Sequence, residues 1–228
     1  MLEEEYGLRS LNSRTPWLDS IWDLAKQAIA VFTLASTKPF NQNSLKDYLF
    51  RSERLGFRAW KEEDLILLNR LNSIREVMRY FPNIPDQEQN SGLLQRMMTQ
   101  YHQRGYCYFP VEELESEQFV GFIGLAYQDY PASFTPGVDI GWRLLPEFWG
   151  KGLATEGAIK ALEFGFREMG LERIFSIASA INSPSIAVMQ KIGMNFLCDF
   201  THPKLQDHPD LASCAVYELT KTDYLGKR

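Results

Sequence analysis

The clearest pattern in the chain spans residues 153–169. There the small side chains Ala154, Ala158, Ala161 and Gly165 recur beside a large apolar row of Ile159, Leu162, Phe166 and Met169. This spacing predicts a helix that lies close on a sheet, with Gly170 as its C-cap. On its other face, Glu156 with Lys160 and Glu163 with Arg167 stand at i,i+4, the arrangement of a solvated surface. A strand is predicted on each side of this helix, over Val138–Leu145 and over Arg173–Ser179, and Pro146 ends the first because it cannot donate the next ladder bond. A short helix over Ser183–Lys191 and closing strands near Phe196–Phe200 and Cys214–Leu219 complete this half.

Upstream, Leu55, Phe57 and Ala59 alternate with Gly56, Arg58 and Trp60, which predicts a first strand from Arg54. Lys61-Glu62-Glu63-Asp64 opens a helix, Ser73–Tyr80 is a second helical stretch stopped by Pro82, and Asp86–Gln103 a third, ended by Gly105. Strand signals at Tyr106–Pro110 and Gln118–Tyr127, about an acidic turn at Glu112–Glu117, predict a hairpin, and Gln128–Gly137 reads as a loop. Ahead of all this, Thr15 and Pro16 cap an amphipathic helix with the stripe Leu18, Ile21, Trp22, Ala25, Ile29 and Phe32, and Asn41–Ser44 reads as a linker. The organisation expected is therefore a helical extension over 1–43 and one α/β domain over 44–228. The stripe must be buried against its own domain, against a second copy in a homodimer, or at a membrane interface.

Composition narrows the function classes. A net charge of −5 argues against nucleic acid as the main partner, which needs a clustered positive surface. Three cysteines, Cys107, Cys198 and Cys214, show neither pairing arithmetic nor metal-ligand spacing with the histidines, so reduced thiols and no metal are expected. The acidic N-terminus is unlike a secretory leader, and the apolar stretch 17–35 is broken by Asp19, Asp23 and Lys26. These features predict a cytoplasmic protein with no membrane partner.

The chemistry points to Trp149-Gly150-Lys151-Gly152-Leu153-Ala154-Thr155, which joins a strand to a helix. Unpaired backbone N–H groups at a helix N-terminus, with no side chains at 150 and 152 to keep an anion away, suit a phosphate. The other reading is a tight turn that needs positive φ. Lys151 is followed by Gly152, which excludes a Walker A loop, and Thr155 stands where a dinucleotide fingerprint needs a third glycine. One strand later comes Asn182-Ser183-Pro184-Ser185, then Val188, Lys191 and Gly193.

Together, Ile140-Gly141-Trp142, Gly150-Lys151-Gly152-Leu153-Ala154-Thr155-Glu156 and the downstream Asn182, Ser185, Lys191 and Gly193 resemble the acetyl-CoA signature of the GNAT N-acetyltransferases, in their RimJ/RimL-like branch. The resemblance covers about Arg54 to Thr222. It implies an α/β GNAT fold with a mixed, mostly antiparallel central sheet flanked by helices. It also implies acetyl-CoA as cosubstrate and a primary amine, a peptide N-terminus or a small molecule, as acceptor. Leu144 and Leu145 would offer backbone groups to the pantetheine, the segment Trp149 to Ala154 would hold the pyrophosphate, and Asn182 and Ser185 would face the thioester. Asn182 and Ser183 also suit a helix cap. The family's usual acid tyrosine is replaced by Met189, which opens the alternative of a catalytically silent acyl-CoA-binding module. An amine that attacks directly needs a base, for which Asp139 is the candidate, its other reading being a solvated strand aspartate. His202 and the loop Tyr127–Thr135, with Tyr130 and Phe134, are candidate lips of the acceptor site.

Overall fold

The computed structural model describes residues 47–205 and 207–226. The predicted N-terminal helix and the Asn41–Ser44 linker lie outside the described residues. One eight-stranded sheet organises the rest, in the order β1-β2-β3-β4-β5-β6-β8-β7. Its strands are β1 (Phe50–Arg51), β2 (Leu55–Phe57), β3 (Tyr108–Glu113), β4 (Phe119–Gln128), β5 (Gly137–Leu144), β6 (Arg173–Ser179), β7 (Asn195–Thr201) and β8 (Ser213–Thr220). All neighbours are antiparallel except β5 and β6, which run parallel. The sheet is thus mixed and mostly antiparallel, as expected.

The helices are α1 (Leu65–Ser73), α2 (Arg75–Met78), α3 (Gln87–Arg104), α4 (Leu153–Glu163), α5 (Ser183–Lys191), α6 (Pro209–Ala212) and α7 (Lys221–Gly226). Helix α3 is bounded as its sequence dictates. Asp86 accepts from the Gln89 N–H while the Gln89 side chain returns to the Asp86 N–H, and Gly105 closes the helix at φ 77°. The α4 helix continues into a π-helical turn at Phe164–Glu168. Its small residues do approach the sheet. A Cβ on Gly157 would stand 2.4 Å from Ile123 Cδ1, and one on Gly165 2.8 Å from Leu125 and Ile174 Cδ1.

Several expectations are corrected. Ile159, assigned to the buried row, is 39% exposed, and Gly157 occupies the sheet-facing position instead. Glu156 bonds Ser52 and Arg54 rather than Lys160, and Lys160 pairs with Glu163. The first strand is buried at all three residues, Leu55–Phe57, because the Tyr48 ring lies against Gly56 on the face away from α4. The second helical stretch shrinks to Arg75–Met78, since Ile74 is extended at ψ 115°. Glu112, assigned to the hairpin turn, is a buried β3 residue paired with Arg58. No helix among the described residues is long and apolar enough to cross a membrane.

Candidate functional site

Strands β5 and β6 pair only at Val138↔Ile174 and Asp139↔Phe175, although each continues for several residues beyond. Past Asp139 they part. The Ser176 hydroxyl donates to the Ile140 carbonyl at 2.9 Å, so a side chain satisfies the first carbonyl that loses its ladder partner. Because the strands are parallel, α4 and α5 both begin beyond the open end of this gap.

At that end the turn before α4 is built as the sequence suggests. Gly150 and Gly152 sit at φ 72° and 78°, the left-handed region that only glycine adopts cheaply, and a Cβ on Gly150 would meet nothing within 4 Å. Among the described residues, no acceptor is found for the backbone N–H groups of Gly150 to Thr155, whereas the Trp149 and Glu156 N–H groups are bonded to Pro146 and Gly152. Free donors, the α4 dipole and open space above a glycine are what a diphosphate requires. The Arg54 guanidinium adds a cation there. It donates to the Lys151 carbonyl at 3.1 Å, and Glu156 holds it at 2.6 Å. Beside the turn opens a shallow cleft of about 630 Å³, whose lining includes Arg51, Thr155, Lys160 and Lys191.

The other expected coenzyme contacts are partly occupied. The Leu144 carbonyl accepts from the Trp149 indole at 2.8 Å, and the Leu145 N–H donates to the Val120 carbonyl. Asn182 caps α5, its side chain accepting from the Ser185 N–H at 3.2 Å, which leaves its amide NH₂ without a partner among the described residues. Ser185 is half-buried in the first turn of that helix. Met189, at the usual position of the acid, is 1% exposed and belongs to the main core, so that position carries packing instead of proton transfer.

Asp139 is no solvated aspartate. It is 6% exposed and receives the Tyr108 hydroxyl at 2.7 Å and the Gln128 amide at 3.2 Å. Burial raises its pKa to about 6, against the opposing pull of Tyr108, Gln128 and backbone N–H groups. Tyr108 itself is raised well above the usual phenol value by burial and by the neighbouring carboxylate. Strand alternation and register put Tyr108, Phe122, Asp139 and Arg143 on the face opposite α4. Tyr108 crosses over Gly141, whose Cβ position is 3.0 Å from the ring, so a side chain at 141 would push the phenol off Asp139. The two candidate lips meet each other. Tyr130 contacts the rings of Phe200 and His202 at 6.2 and 5.3 Å, and Phe134 packs on Phe175. His202 therefore sits in an aromatic cluster beside the site.

Tyr108, Gln128, Arg143 and Arg54 were not singled out from the sequence. Only the register of β3, β4 and β5 and the return of residues 52–54 to α4 bring them in, and no local motif marks either.

The sequence matches the family described as acetyltransferase (GNAT) domain over residues 54–195. It is 31% identical over 144 residues to the uncharacterized N-acetyltransferase YnaD of Bacillus subtilis (strain 168), covering 63% of this chain and 80% of that one. It is 26% identical over 149 residues to the spermidine N(1)-acetyltransferase of Escherichia coli (strain K12), 64% of this chain and 75% of the relative. In fold it resembles RimL, a ribosomal L7/L12 α-N-protein acetyltransferase solved with coenzyme A. That likeness has a TM-score of 0.62 at 18% identity and covers 78% of this chain and 99% of RimL.

Proposed function

The chain belongs to the acetyltransferase (GNAT) family, and from that premise we propose that it transfers an acetyl group from acetyl-CoA to a primary amine by direct attack. The observation that supports this reading is the parted β5–β6 pair, open at the end where the N–H groups of Gly150 to Thr155 have no acceptor among the described residues. Those groups and Arg54 hold the diphosphate, and Arg51, Lys160 and Lys191 stand where further phosphate charge would be met. The pantetheine runs in the gap toward Asp139, along Leu144 and Leu145, with the Asn182 amide and the Ser185 hydroxyl beside the thioester.

Asp139 takes the amine's proton through Tyr108. The carboxylate is already filled by donors and nearly sealed, so the phenol oxygen is the group that meets the amine, receiving its proton as it passes its own to Asp139. Net, one proton moves from the amine to the carboxylate, and the phenol ends as it began. With Met189 buried, the leaving thiolate departs as such or takes its proton from Ser185 or water. The motif around Gly150–Glu156 supports a RimJ/RimL-like reading, with a peptide N-terminus or a small-molecule amine as acceptor.

The test is acceptor-dependent CoA release beside calorimetry with acetyl-CoA. We expect micromolar binding and turnover with at least one amine of a panel of peptide N-termini, polyamines and aminoglycosides. Tight binding without turnover on any amine would instead favour the silent acyl-CoA-binding module.

A further inference from the structure

Arg143 projects from β5 on the Asp139 face and is half-buried. Its guanidinium lies 4.1 Å from the Phe81 ring centroid and 5.1 Å from that of Phe122, and one nitrogen donates to Asn72 Oδ1 at 2.6 Å. That is its whole set of partners among the described residues: no carboxylate approaches within 4 Å, and its Nε is buried with no acceptor. A guanidinium carries five donors and keeps its charge, so one bond to a neutral amide and two aromatic faces leave this half-buried cation without a counter-ion among the described residues. Burial lowers its pKa only to about 10, so it remains a cation at neutral pH.

The arginine is nevertheless held in place. Asn72 is itself bonded to Asn90, and Asn90 to Asn69, so α1 and α3 together fix the group that fixes Arg143. A cation clamped by a neutral network is shaped for an incoming anion. The Tyr130 and Ser179 hydroxyls are likewise buried without partners among the described residues. Arg143 and Asp139 stand four residues apart on one strand, roughly 13 Å between their Cα atoms. Tyr108 crosses over Gly141, midway between them, so a short bifunctional molecule such as a dipeptide or an ω-amino acid would face both groups.

We infer that the acceptor is an amine that also carries a carboxylate, its nitrogen set against Tyr108 and its anion paired with Arg143. This rests on the acetyl-transfer reading above and adds the acceptor's chemical class to it. A polyamine would bring further positive charge to a guanidinium that has no counter-ion among the described residues, so the same residue that selects a carboxylate rejects a polycation.

The experiment measures kcat/KM by CoA release for γ-aminobutyrate and for the dipeptide Ala-Glu, each against its carboxamide form, and for spermidine. We expect at least one free acid to exceed its carboxamide and spermidine by tenfold or more. Arg143→Gln should bring that acid-to-amide ratio close to one, chiefly through KM, and Arg143→Lys should restore part of it. Acetyl-CoA affinity, measured by calorimetry, reports that each variant is folded and should be unchanged. Equal or better turnover of the carboxamides or of spermidine by the unaltered chain overturns the inference while leaving acetyl transfer intact. A loss of acetyl-CoA affinity in Arg143→Gln with the ratio preserved also overturns it, by assigning Arg143 to a coenzyme phosphate. Absence of CoA release with every amine, despite acetyl-CoA binding, removes the acetyl-transfer reading and the inference together.

Discussion

Two residues carry opposite costs that a single substitution can separate. Asp139 ionises near pH 6 in the folded chain against 3.8 for the ordinary carboxyl, so the folded state holds a proton longer than the unfolded one. Its contribution to stability is fully present below about pH 4 and is lost as pH rises through 6, about 3 kcal/mol in all. In the proposed mechanism activity runs the other way, because only the ionised carboxylate can accept the proton. Asp139→Asn should therefore lower kcat by ~10²-fold or more at pH 8 and erase the acidic limb of the rate profile near pH 6. Its urea midpoint at pH 8 should be no lower than that of the unaltered chain. A surviving limb near pH 6 would exclude Asp139 as the base. Gly152 is the second case. Its φ of 78° rather than crowding forbids a side chain, since a Cβ there would meet only Arg54 Nη2 at 3.7 Å. Gly152→Val should cost about 1–2 kcal/mol of backbone strain and reshape the amide cradle. Calorimetry should then show an acetyl-CoA dissociation constant raised at least tenfold, with the far-ultraviolet circular dichroism unchanged.

At the scale of elements, what could be read from the sequence was what local chemistry decides. The hairpin, the loop before β5, the β5–turn–α4 run, β6 and α5 all follow from periodicity, a capping side chain or a glycine. Long-range pairs cannot be read that way, because partners such as Glu156 and Arg54 are about a hundred residues apart. The glycine turn before α4 was legible for the same local reason, whereas Tyr108 joins the proposed site only through β3–β4 register. Arg58 shows how such a hidden partner matters. It bridges Asp64 at 2.6 Å and Glu112 at 2.8 Å, and both carboxylates are buried. Removing the cation would leave two like charges facing each other out of water, so Arg58→Met should cost about 3–5 kcal/mol in denaturant unfolding. The loss should shrink in the triple variant that also carries Asp64→Asn and Glu112→Gln, because the uncompensated charges are then gone.

The described residues are organised by a sheet of two antiparallel halves, β1–β5 and β6–β8–β7, joined through the short parallel contact of β5 with β6. Beyond Asp139 the edges of both halves expose backbone groups that no strand pairs, so this seam is where the fold is least closed and where a bound chain can add most. A pantetheine amide laid in the gap would bond both edges and tie the halves together. Ligand binding at a hundred times its dissociation constant adds about 2.7 kcal/mol to the folded state, and the location of that gain can be read by hydrogen exchange. Saturating acetyl-CoA should slow exchange at least tenfold over residues 140–145 and 176–179, and over 150–155 at the phosphate turn. The β3–β4 hairpin, already paired along its length, should change little. Protection confined to 150–155 would mean that the coenzyme rests on the turn without entering the seam, and the thioester could not then be delivered to Asp139.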